Sequence, residues 1–323
     1  MHIEDVEYMP YKVGGLIYTP ATDRKIANKL KSHSIPFLTS VAFCLEDSIT
    51  DDVLNEAEEN LKSILDALKN ENDMPMLFVR VRTPEHLEHI RNFLGNATER
   101  LTGFILPKFD LNNADDYLKI TEKINNSSSH TIYIMPTIET PMFASAYKGA
   151  ENLEILKNKI DSVKKYILNI RVGGNDFLNI YGIRRSIQQN IYQAGIIRDI
   201  LVNILNIFSG DYVISGPVWE YYDNNTDDKW KTGLEKELEL DRLNGFIGKT
   251  AIHPSQLPVI YESLKPFRSD YEDAKNILSW SDNLGVKSSF SGNRMNEVKT
   301  HQKFAKCTLI LAEIYGIRES VSK

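Results

Sequence analysis

Cysteine is scarce in this 323-residue sequence, which contains only Cys44 and Cys307. Two cysteines are too few for a disulfide framework or for a zinc site built from thiolates. No stretch approaches the ~18 consecutive apolar residues that a membrane-spanning helix needs. The first residues, Met1 to Asp5, also lack the basic region and the apolar run of a secretory signal. We therefore expect a cytoplasmic protein without a membrane partner.

Positive charge is neither in excess nor concentrated along the chain. The net charge is -6, and lysine and arginine are spread without a basic block. Proteins that bind nucleic acids usually carry a basic patch or stripe, so we expect no nucleic-acid partner. The sequence also contains no G-x-G-x-x-G pattern, and its Gly173-Gly174 pair is not followed by the Gly-Lys-Ser/Thr of a phosphate-binding loop.

Short apolar runs alternate with longer amphipathic stretches from residue 15 to about residue 264. The eight runs are Gly15–Thr19, Ser40–Leu45, Met76–Val81, Gly103–Leu106, Thr131–Thr137, Ile167–Val172, Asp211–Ser215 and Gly248–Ile252. The stretches with helical spacing are Asp23–Ser32, Asp51–Lys69, Pro84–Leu94, Asn113–Ile124, Glu151–Ser162, Ser186–Phe208, Asp228–Leu243 and Ser255–Leu264. Eight strand–helix units are the number that closes a parallel barrel. The pattern therefore predicts an α/β protein with a (β/α)8 TIM barrel, and an open doubly wound sheet is the alternative.

The C-terminal part of the chain breaks this alternation. Ser269–Asn283 and Glu297–Tyr315 are predicted as helices on either side of a polar link, Leu284–Arg294, which we expect to be mobile or ordered by a partner. The prediction is a barrel over residues 1–264 that carries the active site. Residues 265–323 would form a C-terminal helical extension that acts as a lid or an oligomer contact.

Charged side chains follow five of the eight predicted strands, where the active site of a parallel barrel lies. They are Glu46 and Asp47 after the second strand, Arg80 on the third, Lys108 after the fourth, Glu139 after the fifth and Asp176 after the sixth. Two carboxylates with water and substrate oxygens make a typical Mg²⁺ site. Glu139 and Asp176 therefore predict a magnesium centre that polarises a 2-oxo acid or holds an enolate.

Each of these charged residues also has a purely structural interpretation. Glu139 and Asp176 are suited to cap the helices that follow them. Arg80 is suited to a simple ion pair with Glu46 or Asp47. Its planar guanidinium is equally suited to hold a substrate carboxylate or an enolate oxygen through two hydrogen bonds.

Other positions at strand ends give weaker chemical signals. Lys108 fits a Schiff base or, more simply, charge pairing, and His253 fits a general base or a satisfied imidazole in a helix-entry turn. Gly174 permits the backbone to approach a ligand closely. We assign Arg80, Lys108, Gly174 and Pro217 to substrate binding.

A series of short motifs occurs along the chain in a fixed order. They are Leu45-Glu46-Asp47-Ser48-Ile49, Val79-Arg80-Val81, Leu106-Pro107-Lys108, Ile138-Glu139-Thr140, Gly174-Asn175-Asp176-Phe177 and the stretch from Gly245 to Gln256. The series resembles the signature of the citrate lyase beta-subunit and malyl-CoA lyase family, which belongs with the 2-oxo-acid aldolases of the phosphoenolpyruvate-binding barrels. The resemblance covers residues 15–256 and continues more loosely to about residue 315.

The resemblance implies Mg²⁺-dependent cleavage or formation of a carbon–carbon bond beside a carboxylate, often in an acyl-CoA thioester. By position, Glu139 and Asp176 match the metal ligands, and Arg80 matches the arginine that holds the substrate and stabilises the enolate. Glu46 and Asp47 match the acidic pair that orients this arginine and a metal-bound water.

The chain departs from the family pattern near its C-terminus. Family lyases carry a Gly-x-Met-x-Asp element whose aspartate reaches a neighbouring subunit's active site as an acid/base group, which implies a homo-oligomer, a trimer or hexamer. The counterpart here, Asn293 to Glu297, places Glu297 where aspartate is expected. The Gly-Gly-Asn-Asp run at Asp176 and the bulky loop Gly216–Asp223 also depart from the pattern, so we expect a divergent member with its own substrate.

The prediction from sequence is therefore a carbon–carbon lyase or aldolase with Arg80, Glu46, Asp47 and Glu297 as catalytic residues. Two alternatives stay open at this point. One is an aldolase that acts on a free 2-oxo acid and an aldehyde without CoA, and the other is a non-catalytic metabolite-binding subunit or regulator.

Overall fold

A computed structural model describes residues 3–280 and 285–319. Its main sheet has eight strands, which are β1 Gly15–Pro20, β2 Ser40–Cys44, β3 Met76–Arg80, β4 Gly103–Leu106, β5 Tyr133–Ile138, β6 Ile170–Val172, β7 Ile214–Ser215 and β8 Lys249–Ala251. Neighbouring strands are parallel, in the order β7-β6-β5-β4-β3-β2-β1-β8. All eight predicted strands are therefore present in chain order around the sheet.

The sheet closes on itself between its first and last strands. β1 pairs with β8 from Gly15–Lys249 to Ile17–Ala251. β7 and β8 are joined by hydrogen bonds in which the Ile247 amide donates to the Ile214 carbonyl at 2.8 Å and the Gly216 amide donates to the Gly248 carbonyl at 3.0 Å. An open doubly wound sheet would leave these edges unpaired, so the predicted TIM barrel is confirmed and that alternative is wrong.

Helices cover the outer face of the barrel and precede it at the N-terminus. They are α1 Ile3–Lys12, α2 Ile26–Lys31, α3 Leu54–Ala67, α4 Pro84–Leu94, α5 Ala114–Ser127, α6 Gly149–Asp161, α7 Gly174–Ile180, α8 Gly195–Phe208, α9 Lys229–Asn244 and α10 Gln256–Leu264. α4 shows why these segments are helical. Thr83 caps it by accepting from the His86 amide at 3.2 Å, and Leu87 and Ile90 on its apolar stripe are buried.

Among the described residues, the hydrophobic core of the barrel has two parts, one on each face of its wall, and a small third cluster lies in the extension. Val41 and Phe43 on β2 belong to the outer layer between the strands and the helices. Ala42 between them belongs to the inner layer, together with Leu16 and Phe78. Successive strand residues therefore point alternately outward and inward, as the pleat requires.

The segment after β6 differs from its prediction. A helix was expected over 186–208, but α8 begins only at Gly195, and the short α7 directly follows β6. Asn190 accepts from the Tyr192 amide at 3.1 Å and Gln193 accepts from the Asn190 amide at 2.9 Å, which fixes a separate turn over Ile191–Gln193. Ile191 in this segment packs against Gly174, which directly follows the end of β6, so residues 183–194 lie beside the barrel mouth, and we call them the mouth wall.

The C-terminal extension contains α11 Arg268–Leu278, a two-stranded antiparallel ribbon and α12 Val298–Tyr315. The ribbon strands are β9 Val286–Ser288 and β10 Met295–Glu297. Residues 285–294 of the link belong to this ribbon and its turn, while Leu284 lies outside the described residues. That the link is mobile or ordered by a partner stays a prediction.

The last helix lies at the N-terminal end of the barrel. The Lys303 ammonium donates to the Ser209 carbonyl at 2.8 Å, and the Tyr315 hydroxyl donates to the Tyr11 carbonyl at 2.6 Å. In the described part of the chain, no helix is long and apolar enough to cross a membrane.

Candidate active site

The predicted charged residues converge at the C-terminal end of the barrel. The second, third, fourth, fifth and sixth strands each contribute to one connected cluster, whose members are Glu46, Asp47, Arg80, Lys108, Glu139 and Asp176. We call this set the mouth cluster. It forms because the carboxyl ends of parallel strands meet at one end of a barrel, as the order of the sequence motifs predicts.

Arg80 is the centre of the mouth cluster. Its guanidinium pairs with Glu46 at 2.8 Å, with Asp47 at 3.1 Å and with Glu139 at 3.5 Å. Burial opposes the charge of Arg80, but Tyr18 and the surrounding carboxylates outweigh it and raise the pKa of this residue. The predicted ion pairs of Arg80 are therefore present, because its side chain lies among acids contributed by two other strands. These pairs do not conflict with the substrate-binding role also predicted for Arg80.

Lys108 has a structural role in this arrangement. Its backbone adopts the left-handed region at φ 48°, and its amide donates to Glu139 Oε1 at 2.7 Å. Its ammonium pairs with Glu46 at 2.5 Å and with Asp47 at 3.4 Å. Burial alone would lower the pKa of Lys108, but these ion pairs raise it, whereas a Schiff-base lysine needs a lowered pKa. The contacts favour charge pairing over covalent catalysis.

Glu139 and Asp176 face one small space beside Gly173. A Cβ atom on Gly173 would lie 2.2 Å from Glu139 Oε2 and 2.8 Å from Asp176 Oδ2, so only glycine fits there. Burial raises the pKa of Glu139 to about 7, and the nearby Asp176 contributes to the rise while Arg80 opposes it. Burial also raises the pKa of Asp176. Capping does not explain Glu139, because it accepts from Lys108 and not from the turn that follows it.

This pair of carboxylates fits a hard divalent cation. Among the described residues, no group of three or more His, Cys, Asp or Glu side chains is placed to hold a metal by itself. Mg²⁺ does not require such a group, because it keeps several waters and is commonly held by one or two carboxylates together with substrate oxygens. Burial raises the pKa of both acids, and Asp176 raises that of Glu139 further, so a cation beside them would relieve this electrostatic cost.

The predicted substrate-binding residues Gly174 and Pro217 lie against each other. A Cβ atom on Gly174 would lie 2.6 Å from Pro217 Cβ and 2.6 Å from Ile191 Cδ1. The glycine is therefore required where the loops after β6 and β7 pack together. Gly174 and Pro217 thus pack beside the mouth wall, and their role in substrate binding stays a prediction.

His253 and Glu297 lie outside the mouth cluster. His253 Nδ1 lies 2.9 Å from the Ser255 hydroxyl and its ring stacks on Tyr222, which matches the satisfied imidazole expected of a helix-entry turn. Glu297 precedes α12 in the extension, where its carboxylate accepts from the Thr300 hydroxyl at 2.7 Å. The acid/base role of Glu297 therefore stays a prediction that depends on a second copy of the chain.

Two candidate functional residues were not identified from the sequence. Tyr18 on β1 lies beneath Arg80, whose guanidinium carbon is 5.7 Å from the ring centre. Arg171 on β6 is only 2% exposed and donates to the Thr250 hydroxyl at 2.5 Å. Both residues lie within predicted strands. The only sequence signal for either was that Arg171 is a charged residue within an otherwise apolar strand.

The fold defines a class of protein, a parallel barrel, and this one gathers acidic side chains at its strand ends. The family model described as C-C bond lyase of the TIM-barrel fold matches residues 7–317, and the chain belongs to this family. The predicted citrate lyase beta-like resemblance and the prediction of a carbon–carbon lyase are confirmed. Among curated proteins, none matches the sequence.

Solved structures show the same fold at low sequence identity. A citrate lyase from Burkholderia xenovorans LB400 is 15% identical, with a TM-score of 0.70, and the alignment covers 95% of this chain and 94% of that one. The CitE protein of Mycobacterium tuberculosis in complex with magnesium, acetoacetate and coenzyme A is 18% identical, with a TM-score of 0.59 and coverage of 93% and 98%. The citrate lyase beta subunit of M. tuberculosis with oxaloacetate and magnesium is 18% identical, with a TM-score of 0.53 and coverage of 78% and 98%.

Proposed function

We propose that this chain catalyses Mg²⁺-dependent cleavage or formation of a carbon–carbon bond next to a carboxylate, with a 2-oxo acid as one reactant. The observation that carries the proposal is the convergence of Glu139 and Asp176 beside Gly173, with Arg80 3.5 Å from Glu139. The family assignment supports a lyase. The magnesium and oxaloacetate bound by the M. tuberculosis citrate lyase beta subunit support the ion and the class of reactant.

Glu139 and Asp176 would hold the ion through their carboxylate oxygens. When bound, the ion would supply positive charge that polarises the carbonyl group of a 2-oxo acid. The two carboxylates account for the choice of Mg²⁺ as the ion, since this ion prefers hard oxygen donors with negative charge.

Arg80 would stabilise the charge that appears in the reaction. When the carbon–carbon bond breaks, its electron pair moves toward a neighbouring carbonyl, and negative charge develops on that oxygen. Glu46 and Asp47 hold the Arg80 guanidinium in place, and its buried Nε has no hydrogen-bond partner among the described residues. A preorganised donor of this kind needs no reorientation during the reaction.

The breaking of the bond also requires removal of a hydroxyl proton from the substrate. We assign this acid/base role to Glu297 of a neighbouring copy in a homo-oligomer, following the family resemblance. Within its own chain, Glu297 belongs to the extension, whose last helix packs at the opposite end of the barrel.

A metabolite screen in the presence of Mg²⁺, read by mass spectrometry, tests the proposal. One arm offers hydroxyacyl-CoA thioesters, and the other offers 2-oxo acids with aldehydes, so the screen also identifies the second reactant. With the substrate that turns over, we expect Glu139→Gln and Asp176→Asn to abolish metal-dependent turnover and to leave the fold intact. Asp115→Asn, which changes an exposed carboxylate, is the matched control and should retain activity. Undiminished turnover in both mouth variants would contradict the assignment.

A further inference from the structure

Tyr18 lies at the floor of the barrel mouth. On β1, Leu16 and Tyr18 are two residues apart and therefore face the same side, which is the barrel interior. Ala42, which is aligned with Tyr18 on the neighbouring strand, and Phe78, which is aligned with Ala42, belong to the same inner layer and are both fully buried. Tyr18 is nevertheless partly exposed, so its accessible part opens toward the mouth, where the Arg80 guanidinium lies over its ring.

A second guanidinium approaches Tyr18 from the opposite side of the barrel. Arg171 lies near enough to Tyr18 for the two groups to influence each other's charge, and its only described hydrogen bond goes to the Thr250 hydroxyl at 2.5 Å, while its buried Nη1 has no partner among the described residues. Among the described residues, no carboxylate forms an ion pair with this buried arginine. A buried charge without a counter-ion is costly, so the presence of Arg171 at this position indicates a functional role.

The two arginines determine what the Tyr18 hydroxyl can do. Guanidinium groups only donate hydrogen bonds, so Arg171 can approach the phenolic oxygen of Tyr18 only as an acceptor, which leaves the phenolic hydrogen free for another partner. Burial raises the pKa of Tyr18, although Arg171 and Arg80 oppose the rise, so the phenol stays protonated at neutral pH. A neutral phenol between two cations is a strong hydrogen-bond donor and a poor base.

We propose that Tyr18 is a further catalytic residue, whose hydroxyl donates a hydrogen bond to the oxygen on which negative charge develops as the carbon–carbon bond breaks. Arg171 is the positioning residue that orients this hydroxyl. The inference rests on the proposed lyase reaction and extends it, because Arg80 and Tyr18 together give the developing oxyanion donors from β3 and β1. No proton is transferred by Tyr18 in this role.

Tyr18→Phe removes the hydroxyl group and keeps the ring that supports Arg80, so it tests the hydroxyl alone. We expect kcat to fall about 10²- to 10³-fold, the usual effect of losing one donor to a developing oxyanion. KM should change little, because the hydrogen bond strengthens only as charge develops. Tyr133→Phe is the matched control. Tyr133 also belongs to the inner layer, but it is the first residue of β5 and is aligned with Gly103, the first residue of β4, so it lies away from the mouth. This variant should keep normal activity.

Binding of oxalate gives a readout that does not depend on turnover. Oxalate with Mg²⁺ is a planar, charged mimic of the enolate of a 2-oxo acid, and its affinity can be measured by isothermal titration calorimetry. We expect Tyr18→Phe to weaken oxalate binding about 10- to 100-fold, as for a hydrogen bond to a charged group, and to leave binding of Mg²⁺ alone unchanged. Arg171→Lys should retain more kcat than Arg171→Gln, because lysine preserves a positively charged donor beside the phenol, whereas the glutamine amide is a neutral donor.

The results that overturn the inference are distinct from those that overturn the proposed function. If Tyr18→Phe keeps wild-type kcat and oxalate affinity while Glu139→Gln is inactive, the hydroxyl has no catalytic role and the ring only supports Arg80. If the wild-type protein binds no Mg²⁺, the proposed function itself fails first.

Discussion

At the scale of single residues, Glu139 has the environment that constrains the chemistry most. Its side chain is buried and accepts from the Lys108 amide at 2.7 Å while facing Asp176 beside Gly173. A carboxyl group in this position is costly to ionise, and Arg80 at 3.5 Å offsets only part of that cost. A bound metal ion would offset more of it, as expected of the proposed ligand.

The raised pKa of Glu139 predicts how stability depends on pH. The pKa rises from an ordinary 4.5 to about 7 on folding, so the folded chain retains a proton that the unfolded chain has already released. This contribution to stability is present at low pH and is lost as pH rises through about 7. We expect the free energy of unfolding of the metal-free protein to decrease between about pH 5 and pH 7 in urea titrations. The decrease should be smaller in Glu139→Gln, and an identical pH slope in that variant would be evidence against the buried acid.

Much of the mouth cluster could be predicted from single residues, because charged side chains that directly follow apolar runs stand out in the sequence. Glu139 and Asp176 were found in this way. Tyr18 and Arg171 were not, since barrel strands are covered on both faces and their apolar pattern does not reveal which side chains point inward.

At the scale of elements, the turn after β2 is fixed by the segment after β3. Arg82 Nε donates to the Leu45 carbonyl at 2.6 Å, and its Nη2 donates to the Ile49 carbonyl at 2.5 Å. The guanidinium also pairs with Asp51. The turn that carries Glu46 and Asp47 is therefore held at three points, which keeps both acids in place around Arg80.

The ribbon in the extension depends on one buried acid. Asp273 on α11 is 1% exposed and accepts hydrogen bonds from the Phe290 amide at 2.6 Å, from Arg294 at 2.6 Å and from Asn296 at 2.9 Å. The sequence could not predict this ribbon, because its strands are three residues long and the residue that organises them lies on another element.

Asp273→Ala tests this dependence. Removal of the carboxylate leaves several donors without a partner, each at a cost of about 1–3 kcal/mol when buried. We expect hydrogen–deuterium exchange to speed up across residues 285–297 while exchange in the barrel strands stays unchanged. Asp270→Ala is the control, since Asp270 contacts only Arg294 of these residues and should have a smaller effect. Equal exchange in both variants would show that Asp273 does not organise the ribbon.

At the scale of the whole molecule, the eightfold alternation of the sequence was sufficient to predict a closed barrel. The closure itself depends on few hydrogen bonds between β7 and β8, since β7 is only two residues long. The helix expected over 186–208 was partly wrong, because the Asn190 and Gln193 side chains compete for backbone partners and end the helical pattern before Gly195. The homo-oligomeric state and the division into residues 1–264 and 265–323 stay predictions.

A buried ion network ties the outer helices to the barrel wall. The Lys249 ammonium on β8 is fully buried and pairs with Glu237 at 3.0 Å and with Asp241 at 2.7 Å, both on α9. Glu237 in turn pairs with Arg185 at 2.6 Å, which attaches the mouth wall to the same network. The network therefore connects the last strand of the barrel to the loop that borders the active site.

Lys249→Met should destabilise the protein strongly. The substitution removes the cation between two buried carboxylates, and breaking a buried pair in this way costs about 3–5 kcal/mol. Urea denaturation should show this loss in the free energy of unfolding. Lys229→Met is the control, because its ion pair with Asp227 is largely exposed and should contribute little. A loss in Lys249→Met no larger than in the control would contradict the importance of the network.

The most direct test of the account is a Mg²⁺ titration of the purified protein by isothermal titration calorimetry. The central claim is that Glu139 and Asp176, which converge beside Gly173, form a divalent cation site. We predict saturable binding of Mg²⁺ to the wild-type chain and loss of that binding in both Glu139→Gln and Asp176→Asn. Equal Mg²⁺ affinity in the wild type and in both variants would contradict it.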